Sequence, residues 1–212
     1  AQYFLMRRGP LTMAPSQLGA FTRSGPEYAT PNVEYHIQPL SLDKFGDPLH
    51  DFPAFTASIC NLRPPSRGSV HLASPDPARA PAIDPSYLST PEDRRVAVES
   101  IRLTRRILRA PSLARYRPQE FRPGAHLDTD DEQVTAAGDQ GATIIHPLGT
   151  ARMGVDGDRM AVVDRQLRLR GISGLRVADA SVMPRITSGN TASPTMVIAE
   201  RCAGWMLQDA RR

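Results

Sequence analysis

The segment from residue 90 to residue 111 restricts the fold of this chain more than any other part of the sequence. Thr90 can cap a helix, Pro91 suits the first helical position, and the two acidic residues that follow complement the helix dipole. The apolar residues that follow recur at helical spacing and form an inward stripe of Ala97, Ile101, Thr104 and Leu108, supported by Val96, Leu103 and Ile107. The sequence therefore predicts an amphipathic helix from Pro91 to about Arg109, ending before Pro111.

Three segments upstream of this helix have the residue pattern of strands. They span residues 33–37, 54–62 and 69–73, and turn-forming residues bound them. Glycines and prolines within residues 1–31 predict irregular structure with at most one short helix, and residues 75–90 form a proline-rich connector. We therefore expect an α+β fold in which the early strands pair antiparallel.

The C-terminal third has a different character. Residues 143–145, 162–163 and 175–178 are short β-type runs, and a short helix is predicted over residues 131–137. After Gly189 and Asn190, residues 191–208 are predicted to form a helix, because apolar residues recur at helical spacing. Those residues are Met196, Ala199, Ala203 and Met206.

Composition excludes several classes of protein. The net charge is +4, but 25 of the 26 basic residues are arginines that are spread along the whole chain. Because the sequence has no basic stretches interleaved with aromatic residues, we expect no nucleic-acid binding. No apolar run approaches the roughly 20 residues of a membrane-spanning helix, and no signal peptide is evident. Cys60 and Cys202 are far apart in the sequence, which excludes a disulfide framework and any cysteine-based metal site and predicts that both are buried thiols in a reducing compartment.

Common catalytic motifs are also missing. The sequence contains no Gly-x-Gly-x-x-Gly fingerprint, no phosphate-binding loop ending in Gly-Lys-Ser/Thr and no Gly-x-Ser-x-Gly elbow. No His-x-x-x-His or carboxylate–histidine cluster offers metal-ligand spacing, so we predict no metal site. As it stands, the chain lacks a dinucleotide-binding crossover of its own.

Three segments carry residues that can do chemistry, each with a structural alternative. His146 follows an apolar run and precedes Pro147, a position that suits a general base, although residue type alone favours a hydrogen-bonded structural histidine at a strand end. Asp179, just beyond another apolar run, can accept hydrogen bonds from a ribose or from loop N–H groups, or can cap a turn or helix. Asn190 can bond a substrate hydroxyl or cap the helix that follows, whose free N–H groups stabilise negative charge.

Taken together, these segments resemble the C-terminal signature of one enzyme family. In chain order they are His-Pro-Leu-Gly-Thr-Ala-Arg-Met-Gly from residue 146, Asp-Ala-Ser-Val-Met-Pro from 179 and Gly-Asn-Thr-Ala-Ser-Pro-Thr from 189. Upstream, Arg-Gly-Ser-Val-His-Leu from residue 67 and Ile-Asp-Pro-Ser-Tyr-Leu from residue 83 extend the match. The set is similar to the glucose–methanol–choline (GMC) oxidoreductases, the flavin-dependent alcohol oxidases and dehydrogenases.

The resemblance implies a chain plan. Residues 1–30 would connect to an absent N-terminal FAD-binding half. Residues 31–140 would form the substrate-binding domain, which is an antiparallel sheet with helices on one face. Residues 141–212 would complete the FAD-binding domain. It implies FAD as cofactor, a small-molecule alcohol as substrate and the missing half as partner. It also implies a bacterial, cytoplasmic enzyme, with peripheral membrane association of the longer protein left open.

The resemblance also assigns residues to roles. His146 would be the base that takes the hydroxyl proton while hydride passes to the flavin, and Asn190 the second active-site residue, as in the choline-oxidising and bacterial alcohol dehydrogenase branch. FAD contacts are implied for Asp179, Ala180, Asn190, Thr191 and Thr195, and His36 would line the substrate cavity or be only a half-buried strand histidine. The fragment alone is expected to be inactive. The alternative from another class is a non-catalytic binding module that works without flavin.

Overall fold

The computed structural model describes residues 2–9, 12–44 and 46–211. Two compact units divide the chain: Ala1–Asn61 with Arg95–Thr135, and Leu62–Arg94 with Ala136–Arg212. Antiparallel strands and helices make up both, as expected for an α+β chain. Among the described residues, no helix combines the length and the apolar character that crossing a bilayer requires.

The first unit contains a three-stranded antiparallel sheet in the order β1-β2-β3. Its strands are β1 (Leu18–Thr22), β2 (Val33–Gln38) and β3 (Thr56–Asn61), and a short helix α1 (Gln2–Met6) precedes them. The strands predicted over residues 33–37 and 54–62 and their antiparallel pairing are confirmed. The irregular structure predicted for residues 1–31 is wrong at β1, because backbone pairing with β2 forms a strand in a segment of weak sequence pattern.

Helix α2 (Pro91–Leu108) confirms the predicted long helix and its stop signal. The Asp93 N–H donates to Thr90 Oγ1 at 3.2 Å, so Thr90 caps the helix as expected. Within the first unit, Tyr35 and Thr104 join their hydroxyls at 3.0 Å, which fastens α2 to β2. All four residues of the predicted stripe are half-buried. Of the supporting residues, Val96 is buried but Ile107 is 44% exposed, and the buried Val98 was not predicted.

The second unit begins with a two-stranded antiparallel ribbon, β4 (Ser69–His71) and β5 (Ala82–Asp84). Strand β4 confirms the prediction over residues 69–73, whereas β5 lies in the segment predicted to be a connector. Helix α3 (Asp130–Gln140) includes the predicted residues 131–137. Its capping box joins Thr129 to Glu132: the Glu132 N–H donates to Thr129 Oγ1, and Glu132 Oε2 accepts from the Thr129 N–H.

The C-terminal part of the second unit packs around a small apolar core of Val163, Leu167, Val182 and Cys202. The β-type runs predicted at 143–145, 162–163 and 175–178 form no strands, and only single bridges such as Met153–Val163 and Arg168–Arg176 connect this region. Short apolar runs need a ladder partner to become strands, and here glycine-rich turns separate them. The last helix, α4 (Ala192–Asp209), confirms the prediction over residues 191–208.

The face of α4 that packs inward differs from the stripe that identified the helix. Ile198, Cys202 and Trp205 belong to the core, whereas Met196 is 65% exposed and Met206 is 55% exposed. Helical spacing recurs on every face of a helix, so it predicts the helix but not the side that is buried. Cys202 is a buried free thiol, as expected, and Cys60 is a half-buried one.

Candidate active site

His146 follows a strained residue in an extended loop. Ile145 has a φ of +60°, which a β-branched residue adopts at a cost of about 1–2 kcal/mol. The N–H of Ile145 donates to Thr143 Oγ1 at 3.1 Å, and this turn holds the left-handed conformation. The Ile145 side chain is 77% exposed, while the His146 ring is half-buried. Strain of this kind, immediately before a titratable side chain, is frequent at functional sites.

The residues after His146 are fixed to the segment that follows Asp179. The Ala151 N–H donates to the Ser181 carbonyl at 3.0 Å, and the Met153 N–H donates to the Val182 carbonyl at 2.8 Å. Val182 is fully buried in the core of the second unit. The loop of His146 is therefore attached to a rigid part of the unit while its ring remains accessible.

Both ring nitrogens of His146 bond to residues at the start of α4. Thr191 Oγ1 lies 2.7 Å from Nδ1, and Asn190 Nδ2 lies 3.1 Å from Nε2. Thr191 is buried, whereas Asn190 is exposed. The structure therefore brings the predicted pair His146 and Asn190 together, although 44 positions separate them in the sequence.

These two hydrogen bonds favour one tautomer of the ring. The Asn190 amide nitrogen can only donate, so in this orientation of the amide Nε2 is the acceptor and carries the lone pair. The proton of the neutral ring then lies on Nδ1, which donates to Thr191 Oγ1. His146 thus presents a basic nitrogen toward Asn190 and the exposed side of the site.

The bond to His146 occupies the hydroxyl that would otherwise cap α4. Thr191 is the N-cap residue of this helix, but its side chain makes no capping hydrogen bond. The first N–H groups of a helix have no partners within the helix, and they carry the positive end of its dipole. An uncapped helix start beside an imidazole is suited to negative charge or to a polar ring edge.

The turn that leads into α4 needs glycine at one position. Gly189 has a φ of +155°, outside the range that other residues adopt easily, and its N–H donates to the Thr187 carbonyl at 2.8 Å. Arg63 Nε donates to Ser188 Oγ at 3.1 Å, which ties the turn to the segment just before β4. These contacts fix the positions of Asn190 and Thr191 at the start of α4.

The other predicted site residues have different surroundings. Asp179 Oδ1 accepts from the Ser181 N–H at 2.8 Å, so the capping alternative is observed, and it opens a 3₁₀ turn over Ala180–Val182. Thr195 Oγ1 donates to the Thr191 carbonyl at 2.7 Å. His36 lies on β2 in the first compact unit, where it is half-buried. The FAD contacts predicted for Asp179, Ala180, Asn190, Thr191 and Thr195 stay predictions.

Sequence reasoning missed two features of this site. Thr191 was predicted only as a flavin contact, and its bond to His146 could have been suspected from its position next to Asn190 at a helix start. Arg152, inside the His146 motif, bonds both carboxylate oxygens of Asp158 at 2.8 Å. Both bonds come from Arg152 Nη2, and Arg152 Nε donates to the Met160 carbonyl at 3.3 Å. Arg152 therefore stabilises the loop from residue 152 to residue 160.

Comparison with known proteins places the chain among oxidoreductases. The GMC oxidoreductase family model for the C-terminal region matches residues 64–199, which include His146 and Asn190. The chain is 41% identical to the alcohol dehydrogenase (acceptor) of Pseudomonas putida over 95% of its length, and 41% identical to the oxygen-dependent choline dehydrogenase of Paraburkholderia phytofirmans over 88%. It spans 36% and 33% of those two proteins.

Solved structures agree with this result. A variant formate oxidase of Aspergillus oryzae, studied for FAD modification, superposes with a TM-score of 0.85 at 25% sequence identity. The match covers 99% of this chain and 41% of the formate oxidase. On the match of the family model to more than half of its residues, this chain belongs to the GMC oxidoreductase family.

Proposed function

We propose that this chain is the C-terminal portion of an FAD-dependent oxidoreductase that converts the CH–OH group of an alcohol to a carbonyl. The observation that carries the proposal is His146, held through both ring nitrogens by Thr191 and Asn190 at the start of α4. The names of the relatives, an alcohol dehydrogenase and a choline dehydrogenase, support alcohols as the substrate class. Asn190 favours the choline and bacterial alcohol branch over sugars.

In this proposal His146 Nε2 is the general base. Thr191 Oγ1 accepts a hydrogen bond from Nδ1–H and so keeps the lone pair on Nε2, the atom that Asn190 faces. A substrate hydroxyl that reaches Nε2 passes its proton to the ring, and the Asn190 amide then donates to the substrate oxygen. A positioned base of this kind contributes on the order of 10²–10⁴ in rate.

The residues present fit part of an FAD site. At the start of α4, where the Thr191 side chain makes no capping bond, the N–H groups of Ala192 and Ser193 and the positive dipole end suit a flavin ring edge or a phosphate. Thr191 and Thr195 in the first turn, with Asp179 and Ala180 in the segment bound to the His146 loop, would hold the cofactor. When bound, FAD supplies the acceptor for the hydride that leaves the alcohol carbon.

The remainder of the cofactor site would come from a part of the longer protein that lies outside these 212 residues. The sequence lacks a pyrophosphate-binding fingerprint, and the chain spans about a third of the length of the curated relatives it matches. Met196, Val197, Met206 and Leu207 on α4 are each more than half exposed. We propose that the missing N-terminal portion covers these exposed apolar residues. We also propose that residues 31–140 act as the substrate-binding part and residues 141–212 as the part that completes the FAD site.

The test requires the longer protein that includes the N-terminal portion. His146→Ala should lower the rate of flavin reduction by alcohol by a factor of about 10²–10⁴, because the base is lost. The FAD content should stay unchanged, because the start of α4 is retained. His71→Ala is the matched control, since His71 lies exposed on β4. An unchanged reduction rate in His146→Ala would reject the assigned role.

The isolated chain provides a second test. We expect little flavin absorbance to remain with the 212-residue chain after FAD is added and the protein is desalted, since the pyrophosphate cradle is missing. A longer protein that is also colourless and inactive, while the chain alone binds another ligand, would favour the non-catalytic binding module.

A further inference from the structure

Three side chains with metal-binding atoms share one face of the β2–β3 pair in the first compact unit. Glu34 and His36 are two positions apart on β2, and Cys60 on β3 lies directly opposite Glu34. Alternate residues of a strand point to the same side of the sheet, and so do directly paired residues. Register therefore places a carboxylate, an imidazole and a thiol next to one another.

The donor atoms of these side chains are close to the spacing of a zinc site. His36 Nε2 lies 3.5 Å from Glu34 Oε1, and Cys60 Sγ lies 3.9 Å from Glu34 Oε2. All three ligand atoms are within 4.8 Å of one another. In a tetrahedral zinc site the bond lengths place neighbouring donor atoms about 3.3–3.6 Å apart. A contraction of about 1 Å at most would close the cluster around an ion.

Burial and hydrogen bonding supply an independent argument. Glu34 is 4% exposed. Among the described residues, His36 Nε2 is one of two buried side-chain polar atoms without a hydrogen-bond partner. Glu34 Oε1, 3.5 Å away, pairs with this nitrogen only when the ring is protonated, whereas a metal ion would bind both the neutral ring nitrogen and the carboxylate. The carboxylate and a thiolate together would neutralise the two charges of a zinc ion, so the half-buried site would carry no net charge.

We propose that Glu34, His36 and Cys60 bind a zinc ion, with the fourth coordination position open to water. Sulfur and nitrogen donors with a single carboxylate suit zinc, whereas magnesium and calcium take oxygen ligands. On binding, the Cys60 thiol releases its proton to solvent and the sulfur becomes a thiolate ligand. This proposal goes against the sequence prediction of no metal site, which rested partly on the separation of the two cysteines. One cysteine suffices where the sheet brings a histidine and a glutamate to it.

Cobalt(II) is the probe, because it occupies zinc sites and shows a charge-transfer band when a thiolate binds it. The metal-free 212-residue chain should take up one equivalent of cobalt with this band, and zinc should displace it. Cys60→Ser should abolish the band, and His36→Gln and Glu34→Gln should each weaken cobalt binding at least about tenfold. His71→Gln and Cys202→Ala are the matched controls and should bind cobalt as the parent chain does.

Circular dichroism of each variant separates loss of a ligand from loss of the fold, and Glu34→Gln keeps the shape of the side chain if another variant unfolds. The proposal is overturned if the parent chain binds no stoichiometric cobalt. It is equally overturned if the thiolate band persists in Cys60→Ser or disappears in a folded Cys202→Ala.

Discussion

The bond between Thr191 and His146 should decide which ring nitrogen carries the proton. Replacing Thr191 by Val keeps the shape of this buried residue but removes the hydroxyl 2.7 Å from Nδ1. A hydrogen bond of this kind contributes about 0.5–1.5 kcal/mol. Because 1.36 kcal/mol corresponds to a factor of ten, the Nδ1–H tautomer should lose about 2- to 13-fold in population relative to Nε2–H.

Nitrogen NMR of the histidine-labelled chain measures this ratio directly, because protonated and unprotonated ring nitrogens have different chemical shifts. The wild-type ring should show a protonated Nδ1, and Thr191→Val should shift the His146 signals toward protonated Nε2. Thr187→Val is the matched control, since Thr187 bonds to the Gly189 carbonyl and not to His146. An Nδ1–H signal that is unchanged in Thr191→Val would refute the role assigned to the hydroxyl.

The same variant should destabilise the chain only by the lost bond to His146, about 0.5–1.5 kcal/mol. Removing an N-cap side chain usually costs about 0.5–2 kcal/mol, but Thr191 makes no capping bond that could be lost. Introduced into a His146→Ala background, Thr191→Val should therefore cost almost nothing in urea denaturation, and a loss that persists there would show that the hydroxyl caps the helix in solution.

Three further predictions concern packing and charge. Arg105→Ala should destabilise the chain by about 3–5 kcal/mol in urea denaturation, because Glu120, 12% exposed and bonded to Arg105 at 2.8 Å, would lose its ion-pair partner and keep only the Gly124 N–H. A cost below about 1 kcal/mol would contradict this. The Arg176 hydrogen bond holds the pKa of Asp209 below its usual range, so its stabilisation is complete above the unfolded pKa and lost as pH falls through the folded one. Asp209→Asn should flatten this part of the stability profile, and an unchanged acid limb would argue against the bond. Gly68→Ala should disrupt the β4–β5 ribbon, seen as faster amide exchange, because a β-carbon would overlap the backbone of β5; unchanged exchange would contradict the packing.

The family resemblance predicted a role for His146 that the residues next to it in the sequence could not. Residue type alone favours a hydrogen-bonded structural histidine at position 146 over a general base. The structure shows it hydrogen-bonded on both sides, and one partner is the predicted Asn190. A fully bonded histidine can still be a base, since one of those bonds fixes the tautomer and the other lies where a substrate hydroxyl would bind.

Local sequence signals determined the helices and strands whose capping residues or residue alternation lie within a few neighbouring positions. Thr90 and Pro91 fixed the beginning of α2, and alternating residues identified β2 and β3, because capping and periodicity are properties of neighbouring positions. Only tertiary structure decided which face of α4 is buried, that β1 is a strand and that Thr191 bonds to His146. The same holds for the cluster of Glu34, His36 and Cys60, which depends on strand register. Each of these rests on contacts between residues distant in the chain, which no local pattern encodes.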